Sequence, residues 1–500
     1  MRPLEILLVV ANLVAFVLLV VPVRGRARWL RHFAFLPLPV MGAQLLVEGP
    51  RWQMVPAYAL GGLFFLVWLV WLLRTIKPAG RPAGRRWTRR LAAGLGIGLG
   101  VLGLVVSTAL PIALPVFRFP HPTGPYDIGT LTYHWVDASR PEVFAANPDD
   151  RRELMVQIWY PAWADPSSPR APYIPDAGAV APALARFIKL PEFILGHLKY
   201  VTTNAVASAP VADGKRSYPV LILLVGLGGY RQEQTFQVED LVSHGYIVAA
   251  IDQPYAASMV VFPDGRQAAY DTRLDPPHRQ PGYDPDTAPA HGAFADAHMP
   301  YLAQDAIFTL DQLTALNRAD PNGILTGRLD LQRAGLFGHS LGGIVGGEAC
   351  LLEPRLRACL LEDAYMRADV VRAGLRQPTM WITRDADTMR LERRRSGGWS
   401  EAAIHEHLTT MRAVYQSLPT DGYYVQVPGT FHVDMTDAPL LTPLAYRLGL
   451  SGPIGAPRAH SIINAYSVAF FDRHLKGQPA ALLDGPAKQY PEVRLETRRP

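Results

Sequence analysis

Four apolar runs crowd the first 118 residues, at 6–23, 33–47, 55–73 and 91–117, and they limit the fold more than any other feature of the chain. A helix needs about 20 apolar residues to cross a bilayer core, and three of the runs meet that length. The second is short and carries Pro37 and Pro39. Charge decides its case. Arg24, Arg26, Arg28 and Arg31 follow the first run, and Arg74, Lys77, Arg81, Arg85, Arg86, Arg89 and Arg90 follow the third. Basic loops stay cytoplasmic, so both loops belong on one side, and that requires two crossings between them. The expectation is therefore a transmembrane domain of four helices over residues 1–118, embedded as a multi-pass protein of the cell membrane. The N-terminus and everything after Arg118 then lie on the extracytoplasmic side. Trp52, Trp68, Trp71 and Trp87 sit near run ends, as interfacial belts do. The first run does not read as a cleaved signal peptide, because Val21-Pro22-Val23 before the arginines offers no small-residue cleavage site.

The net charge of +6 has the same origin. Up to Arg118 there are 14 basic against 2 acidic side chains, a balance of +12, which leaves −6 for the rest. Arginines gathered between apolar runs answer to membrane topology rather than to phosphate, so no nucleic-acid partner is expected. The two cysteines, Cys350 and Cys359, form neither a disulfide framework nor a zinc site, and both read as small buried hydrophobes.

From residue 154 onward the pattern changes to short apolar stretches alternating with amphipathic ones. Strand content falls at 154–160, 219–225, 246–251, 334–337, 357–361, 379–383 and 423–427; helical spacing falls at 233–243, 301–317, 341–352, 401–417 and 461–475. Strand alternating with helix predicts an α/β domain, a mostly parallel sheet with helices on both faces. The unbroken apolar strand Val220-Leu221-Ile222-Leu223-Leu224-Val225 agrees, since parallel strands are buried on both sides. We place this domain at 119–478, followed by a C-terminal tail at 479–500. Two stretches break the rhythm. Residues 254–300 form a Pro/Asp/His-rich insertion of the length used for lids or substrate walls. Residues 385–399 carry the run Arg393-Arg394-Arg395, read as a solvated face. His278, Asp284, Asp286, His291, Asp296 and His298 of the insertion lack tight ligand spacing, so no metal site is expected.

Gly338-His339-Ser340-Leu341-Gly342 matches G-x-S-x-G, with an apolar strand before it and a helical pattern and Gly343 after it. That setting is a nucleophile elbow, in which a sharp strand-to-helix turn raises Ser340 above the sheet of an α/β-hydrolase. A serine hydroxyl needs a base, and the base needs an acid to hold it, in the chain order serine, acid, histidine. Five histidines follow Ser340. His405, His407, His460 and His474 fall within helical patterns; His432 alone follows a strand, through Pro428-Gly429-Thr430-Phe431, where the fold keeps its base. His339 is expected to point away from the nucleophile. For the acid, Asp363 ends one strand in Leu360-Leu361-Glu362-Asp363, and Asp385 and Asp387 end the next, the commoner position.

Pro122-Thr123-Gly124-Pro125-Tyr126-Asp127-Ile128-Gly129, Val225-Gly226-Leu227-Gly228, Ser243-His244-Gly245-Tyr246-Ile247-Val248-Ala249-Ala250, the elbow and Glu362-Asp363-Ala364 resemble the secreted type of platelet-activating factor acetylhydrolase and its bacterial relatives near dienelactone hydrolases. The resemblance covers roughly residues 119–476 and none of the four spans. It implies Asp363 as the acid of a Ser340, His432, Asp363 triad, and an oxyanion hole from the backbone N–H groups of Leu227 and Leu341. Val225 stands where the family usually has a histidine. The implied chemistry is hydrolysis of a lipid or small ester through an acyl-enzyme, without cofactor, with short or oxidised acyl chains favoured. A general carboxylesterase or polyester hydrolase would use the same residues, and a non-catalytic membrane scaffold would not need them.

Overall fold

The computed structural model describes residues 1–21, 25–76, 86–279, 284 and 292–500. Arg24, Lys77, Arg81, Arg85, Asp286 and His291 lie outside the described residues. The chain divides into one compact unit of residues 1–117 and 441–444 and another that holds 118–440 and 445–500.

The first unit is helical: α1 (Pro3–Val20), α2 (Pro37–Val47), α3 (Val55–Ile76) and α4 (Arg86–Ala113). Among the described residues four stretches are long and apolar enough to cross a membrane, Pro3–Val20, Trp29–Val47, Trp52–Ile76 and Leu91–Ala113. The doubtful second run reaches its 19 residues because a 3₁₀ stretch, Gly25–Phe35, precedes α2. Pro37 stands at the first turn of α2, where its missing N–H would have had no helical partner anyway. Only 17% to 28% of each stretch is buried, so most of the apolar side chains face outward. Polar groups gather at one end. Arg51 is buried and donates from Nε and Nη2 to the two Glu5 oxygens at 2.6 and 2.7 Å, and from Nη1 to the Leu114 carbonyl at 2.7 Å. The start of α1, the loop before α3 and the chain leaving α4 are thereby tied together.

The second unit carries β1 (Asp127–Pro141), β2 (Arg151–Ala162), β3 (Arg170–Pro172), β4 (Thr202–Ala207), β5 (Tyr218–Leu224), β6 (Ile247–Asp252), β7 (Met259–Val261), β8 (Gln267–Ala269), β9 (Leu329–His339), β10 (Leu356–Glu362), β11 (Thr379–Thr383), β12 (Gly422–Gln426) and β13 (Arg494–Arg498). Its helices are α5 (Ala177–Phe187), α6 (Thr235–Ser243), α7 (Ala293–Arg318), α8 (Leu341–Leu352), α9 (Ala368–Ala373), α10 (Ala386–Ser396), α11 (Glu401–Ser417) and α12 (Ala456–Lys476). Among the described residues eleven strands form one sheet in the order β13-β12-β11-β10-β9-β5-β6-β2-β1-β4-β3; β7 and β8 pair as a separate hairpin. The middle is parallel from β6 through β5, β9, β10 and β11 to β12, with β13 and β2 antiparallel at its flanks. Every residue of β5 and β6 is buried, which is why these strands read as continuous apolar runs. Helices on both faces and a mostly parallel sheet make this an α/β-hydrolase architecture. Ligands of such sheets bind beyond the carboxyl ends of the strands. Here those are the ends of β5, β9, β10, β11 and β12.

Three expectations need correction. Cys350 and Cys359 are both buried, yet they are joined by a disulfide between the last turn of α8 and β10. A spacing of 9 residues gave no sign that the helix end and the next strand would meet. Residues 385–399 are no irregular break, because α10 fills most of them. Asp385 is its N-cap, accepting the Thr388 N–H, and Arg393 pairs with Glu401 at 2.7 Å. Finally, the insertion is only partly irregular: it contains the β7–β8 hairpin, and α7 begins before Pro300.

Candidate active site

The elbow forms because glycine surrounds the serine. Ser340 has φ 57° and ψ −121°, a strained conformation for a residue with a side chain. A Cβ on Gly338 or Gly342 would strike backbone atoms of the facing turn or of Leu224, and one on Gly343 would lie 2.6 Å from the Ala364 Cβ. Only hydrogen fits at these three positions. The turn is closed by the Ser340 N–H, which donates to the Glu362 carbonyl at 2.9 Å.

Three sequence-predicted residues meet here. His432 Nε2 lies 2.9 Å from Ser340 Oγ, and His432 Nδ1 lies 2.5 Å from Asp363 Oδ2. A carboxylate can only accept, so Nδ1 carries the proton and Nε2 is left to accept from the serine hydroxyl. Burial holds the His432 imidazole below its usual pKa, against the pull of the Asp363 charge, which favours the neutral ring. Asp363 is fully buried. Burial alone would raise its pKa, but the Arg384 guanidinium 2.7 Å away, together with His407 and His432, brings it well below the usual carboxylate range. Its backbone also has positive φ, 46°, and its N–H donates to the Ile382 carbonyl at 2.8 Å.

The competing acids stand elsewhere. Asp385 caps α10 and approaches Arg494 at 3.3 Å, while the side chain of Asp387 is 93% exposed beside Arg390. Among the other histidines, His405 is exposed. His460 stacks on Phe236 at 3.7 Å, and His474 lies 3.1 Å from the Tyr423 hydroxyl; burial lowers both rings to about 4. His339 does not point away: its buried ring sits 4.4 Å from that of His432.

Beside the elbow runs the turn after β5. A Cβ on Gly226 would come within 3.6 Å of the Ser340 Cβ, so this turn flanks Ser340. Glu233, fully buried, accepts the Gly226 N–H at 2.5 Å and fixes the turn from behind; burial pushes its carboxyl up to about 7. The Leu227 and Leu341 N–H groups have no backbone or side-chain acceptor among the described residues, whereas the neighbouring Gly228 N–H is taken by the Ala256 carbonyl.

Four contributors escaped the sequence. Glu233 and Arg384 are charged residues at strand ends or turns, and only their burial marks them. His407 sits inside a helical pattern that hides which face it takes. Trp399 follows Gly397 and Gly398 and packs at 5.3 Å, edge to face, against both His407 and His432, with Arg384 over it at 5.0 Å.

A family model described as platelet-activating factor acetylhydrolase, isoform II, matches residues 113–270. The platelet-activating factor acetylhydrolase of Canis lupus familiaris is 23% identical over 57% of this chain, and the match spans 63% of that protein's length. A probable 1-alkyl-2-acetylglycerophosphocholine esterase of Arthroderma benhamiae is 24% identical, over 75% of this chain and 93% of its own. Among solved structures, a ferulic acid esterase from Streptomyces cinnamoneus superposes with a TM-score of 0.58 at 30% identity, over 76% of this chain and 99% of that one. With its sheet, its elbow and these similarities, the chain is a carboxylic ester hydrolase of the α/β-hydrolase fold, and its residues 113–270 match the platelet-activating factor acetylhydrolase model.

Proposed function

We propose that the protein is a membrane-anchored serine ester hydrolase that cleaves short or oxidised acyl chains from phospholipids or related lipids. The observation that carries the reading is the single imidazole of His432 within hydrogen-bond reach of both Ser340 Oγ, at 2.9 Å, and Asp363, at 2.5 Å. His432 takes the serine proton as Ser340 Oγ bonds to the ester carbonyl carbon, and Asp363 stabilises the imidazolium. The carbonyl oxygen gains negative charge and is met by the Leu227 and Leu341 N–H groups. Collapse of the intermediate expels the alcohol, which takes its proton from His432 and leaves an acyl-serine. Water, deprotonated by the same ring, then releases the acid.

The lipid substrate is supported by relatives named for platelet-activating factor and by the apolar helices of the first unit. A soluble aryl or alkyl ester is the second reading, favoured by the ferulic acid esterase at 30% identity. Purified full-length protein should therefore be given a panel of phospholipids with acetyl, oxidised and long sn-2 chains beside feruloyl and simple alkyl esters. We expect kcat/KM on the acetyl or oxidised phospholipid to exceed that on the soluble esters by at least about tenfold, a difference of 1.4 kcal/mol in transition-state binding. Equal or reversed preference would favour the second reading.

Anchoring and sidedness rest on outward-facing apolar side chains along four stretches, on the basic loops, and on the disulfide, which persists in oxidising compartments and is rare in the cytosol. A reporter that matures only outside the cytoplasm should be active when fused after Arg118, and one that works only inside should be active at Arg85. The reverse pattern would put the catalytic unit in the cytoplasm.

A further inference from the structure

The Asp363 carboxylate has more partners than orienting one histidine requires. Its Oδ2 faces His432 Nδ1 at 2.5 Å and the Arg384 guanidinium at 2.7 Å. Its Oδ1 faces Thr383 Oγ1 at 3.1 Å and His407 Nε2 at 3.2 Å. Two imidazoles therefore share one carboxylate, each on its own oxygen. His432 uses Nδ1–H and His407 uses Nε2–H, since the acceptor can be paired only with a donor nitrogen.

His407 is fully buried on α11, and its other nitrogen, Nδ1, has no hydrogen-bond partner among the described residues. A buried, unpartnered ring nitrogen is a cost that an aliphatic side chain at the same place would not carry. Filling space therefore does not account for a histidine there, and the Nε2 contact is what the imidazole adds. The ring is also held stiffly. Trp399 packs edge to face against it and against His432 at the same 5.3 Å, while Arg384 lies over the indole. Arg384 is anchored in turn by Glu392, whose carboxylate accepts the His432 backbone N–H at 3.2 Å. The end of β11 and helix α11 thus place Thr383, Arg384 and His407 against the acid, and α10 anchors Arg384 through Glu392.

We propose that His407 is a positioning residue: by donating Nε2–H to Oδ1 it fixes the rotation of the Asp363 carboxylate, so that Oδ2 stays aligned on His432 throughout the reaction. This rests on the reading of Ser340, His432 and Asp363 as the catalytic unit. Without His407, Oδ1 keeps only the Thr383 hydroxyl, and the carboxylate can turn away from His432. Small misalignments of a catalytic group cost rate rather than substrate affinity.

The test uses the full chain in detergent with one soluble short-chain ester, and compares His407→Leu, His407→Gln, His407→Asn and Ser340→Ala. Leucine should lower kcat roughly tenfold to a hundredfold with KM within about twofold of the parent. Glutamine, whose amide nitrogen reaches the place of Nε2, should stay within about fivefold of the parent kcat. Asparagine carries the same donor about one bond short and should fall with leucine. Leucine keeping more than half of kcat, or glutamine falling as far as leucine, would overturn the proposal. If leucine fails to fold, the glutamine and asparagine pair decides, and equal losses in that pair also overturn it. Ser340→Ala separates the two levels: activity surviving in that variant removes the catalytic reading itself, whereas its loss beside an unaffected His407→Leu removes only this inference.

Discussion

Replacing Ser340 by alanine is expected to lower kcat/KM for any ester substrate by about 10⁴- to 10⁶-fold, because what survives the loss of a triad nucleophile is binding and the oxyanion donors alone. Alanine takes no more room than serine, so the strained elbow, its glycine contacts and the fold should persist, and an unchanged melting transition would show that they do. His432→Ala should cost nearly as much. Its Nε2 is the only basic atom within hydrogen-bond reach of Ser340 Oγ among the described residues, and a serine without a base is a poor nucleophile at neutral pH. The two residues act as a unit, so the double variant should lose little beyond either single one. Losses that multiply would mean that serine and histidine work in separate steps. A Ser340→Ala enzyme that keeps a tenth of its activity would remove the nucleophile assignment.

The centre of the sheet was legible because burial leaves its mark on composition. Residues 379–383, 341–352 and 401–417, read from apolar content and helical spacing, coincide with β11, α8 and α11. The long strand β1 was missed although it pairs with β2 over most of its length. It lies nearer the sheet edge, its burial alternates irregularly, and His134, Asp137 and Arg140 break any apolar run. Strand β13 was read as tail because four of its five residues are exposed. At the site, Ser340 and His432 were readable because a turn motif and a strand-to-loop position fix them locally. Glu233, Arg384 and His407 are different: their meaning lies in contacts across tens of residues. Periodicity reports that His407 is on a helix; it cannot report that the buried face of that helix ends on a carboxylate 44 residues earlier. The disulfide escaped for the same reason, since two buried cysteines look alike in sequence whether or not their sulfur atoms meet.

The acid gives the sharpest of these comparisons, because position in the fold and family resemblance pointed to different residues. The commoner topology favours Asp385 or Asp387, after β11. In this chain that strand is followed at once by Arg384, which turns inward to Asp363, and then by α10, whose N-terminus holds Asp385 in a capping bond to the Thr388 N–H. The Asp385 oxygens face the Thr388 N–H and Arg494, not an imidazole. Asp387 points into solvent. Asp363, in contrast, is buried and 2.5 Å from His432 Nδ1. Asparagine at 363 would keep the shape but lose the charge that stabilises the imidazolium, and its amide could present a donor to Nδ1 and so favour the wrong tautomer. It would also leave the buried Arg384 with Glu392 as its remaining anionic neighbour. We expect Asp363→Asn to lower kcat by about 10³- to 10⁴-fold with little change in KM, as for triad acids in general. Stability should fall too, since a buried charge network loses one of its two carboxylates around Arg384, so kcat must be normalised to folded protein. Asp385→Asn keeps a capping oxygen and Asp387→Asn changes an exposed side chain, and each should cost under about tenfold in kcat. The three variants belong in one assay with one soluble ester. A large loss confined to Asp385→Asn or Asp387→Asn would overturn the geometric assignment, whereas a large loss confined to Asp363→Asn, beside a folded and substrate-binding protein, is the result that the hydrogen bonds around His432 require.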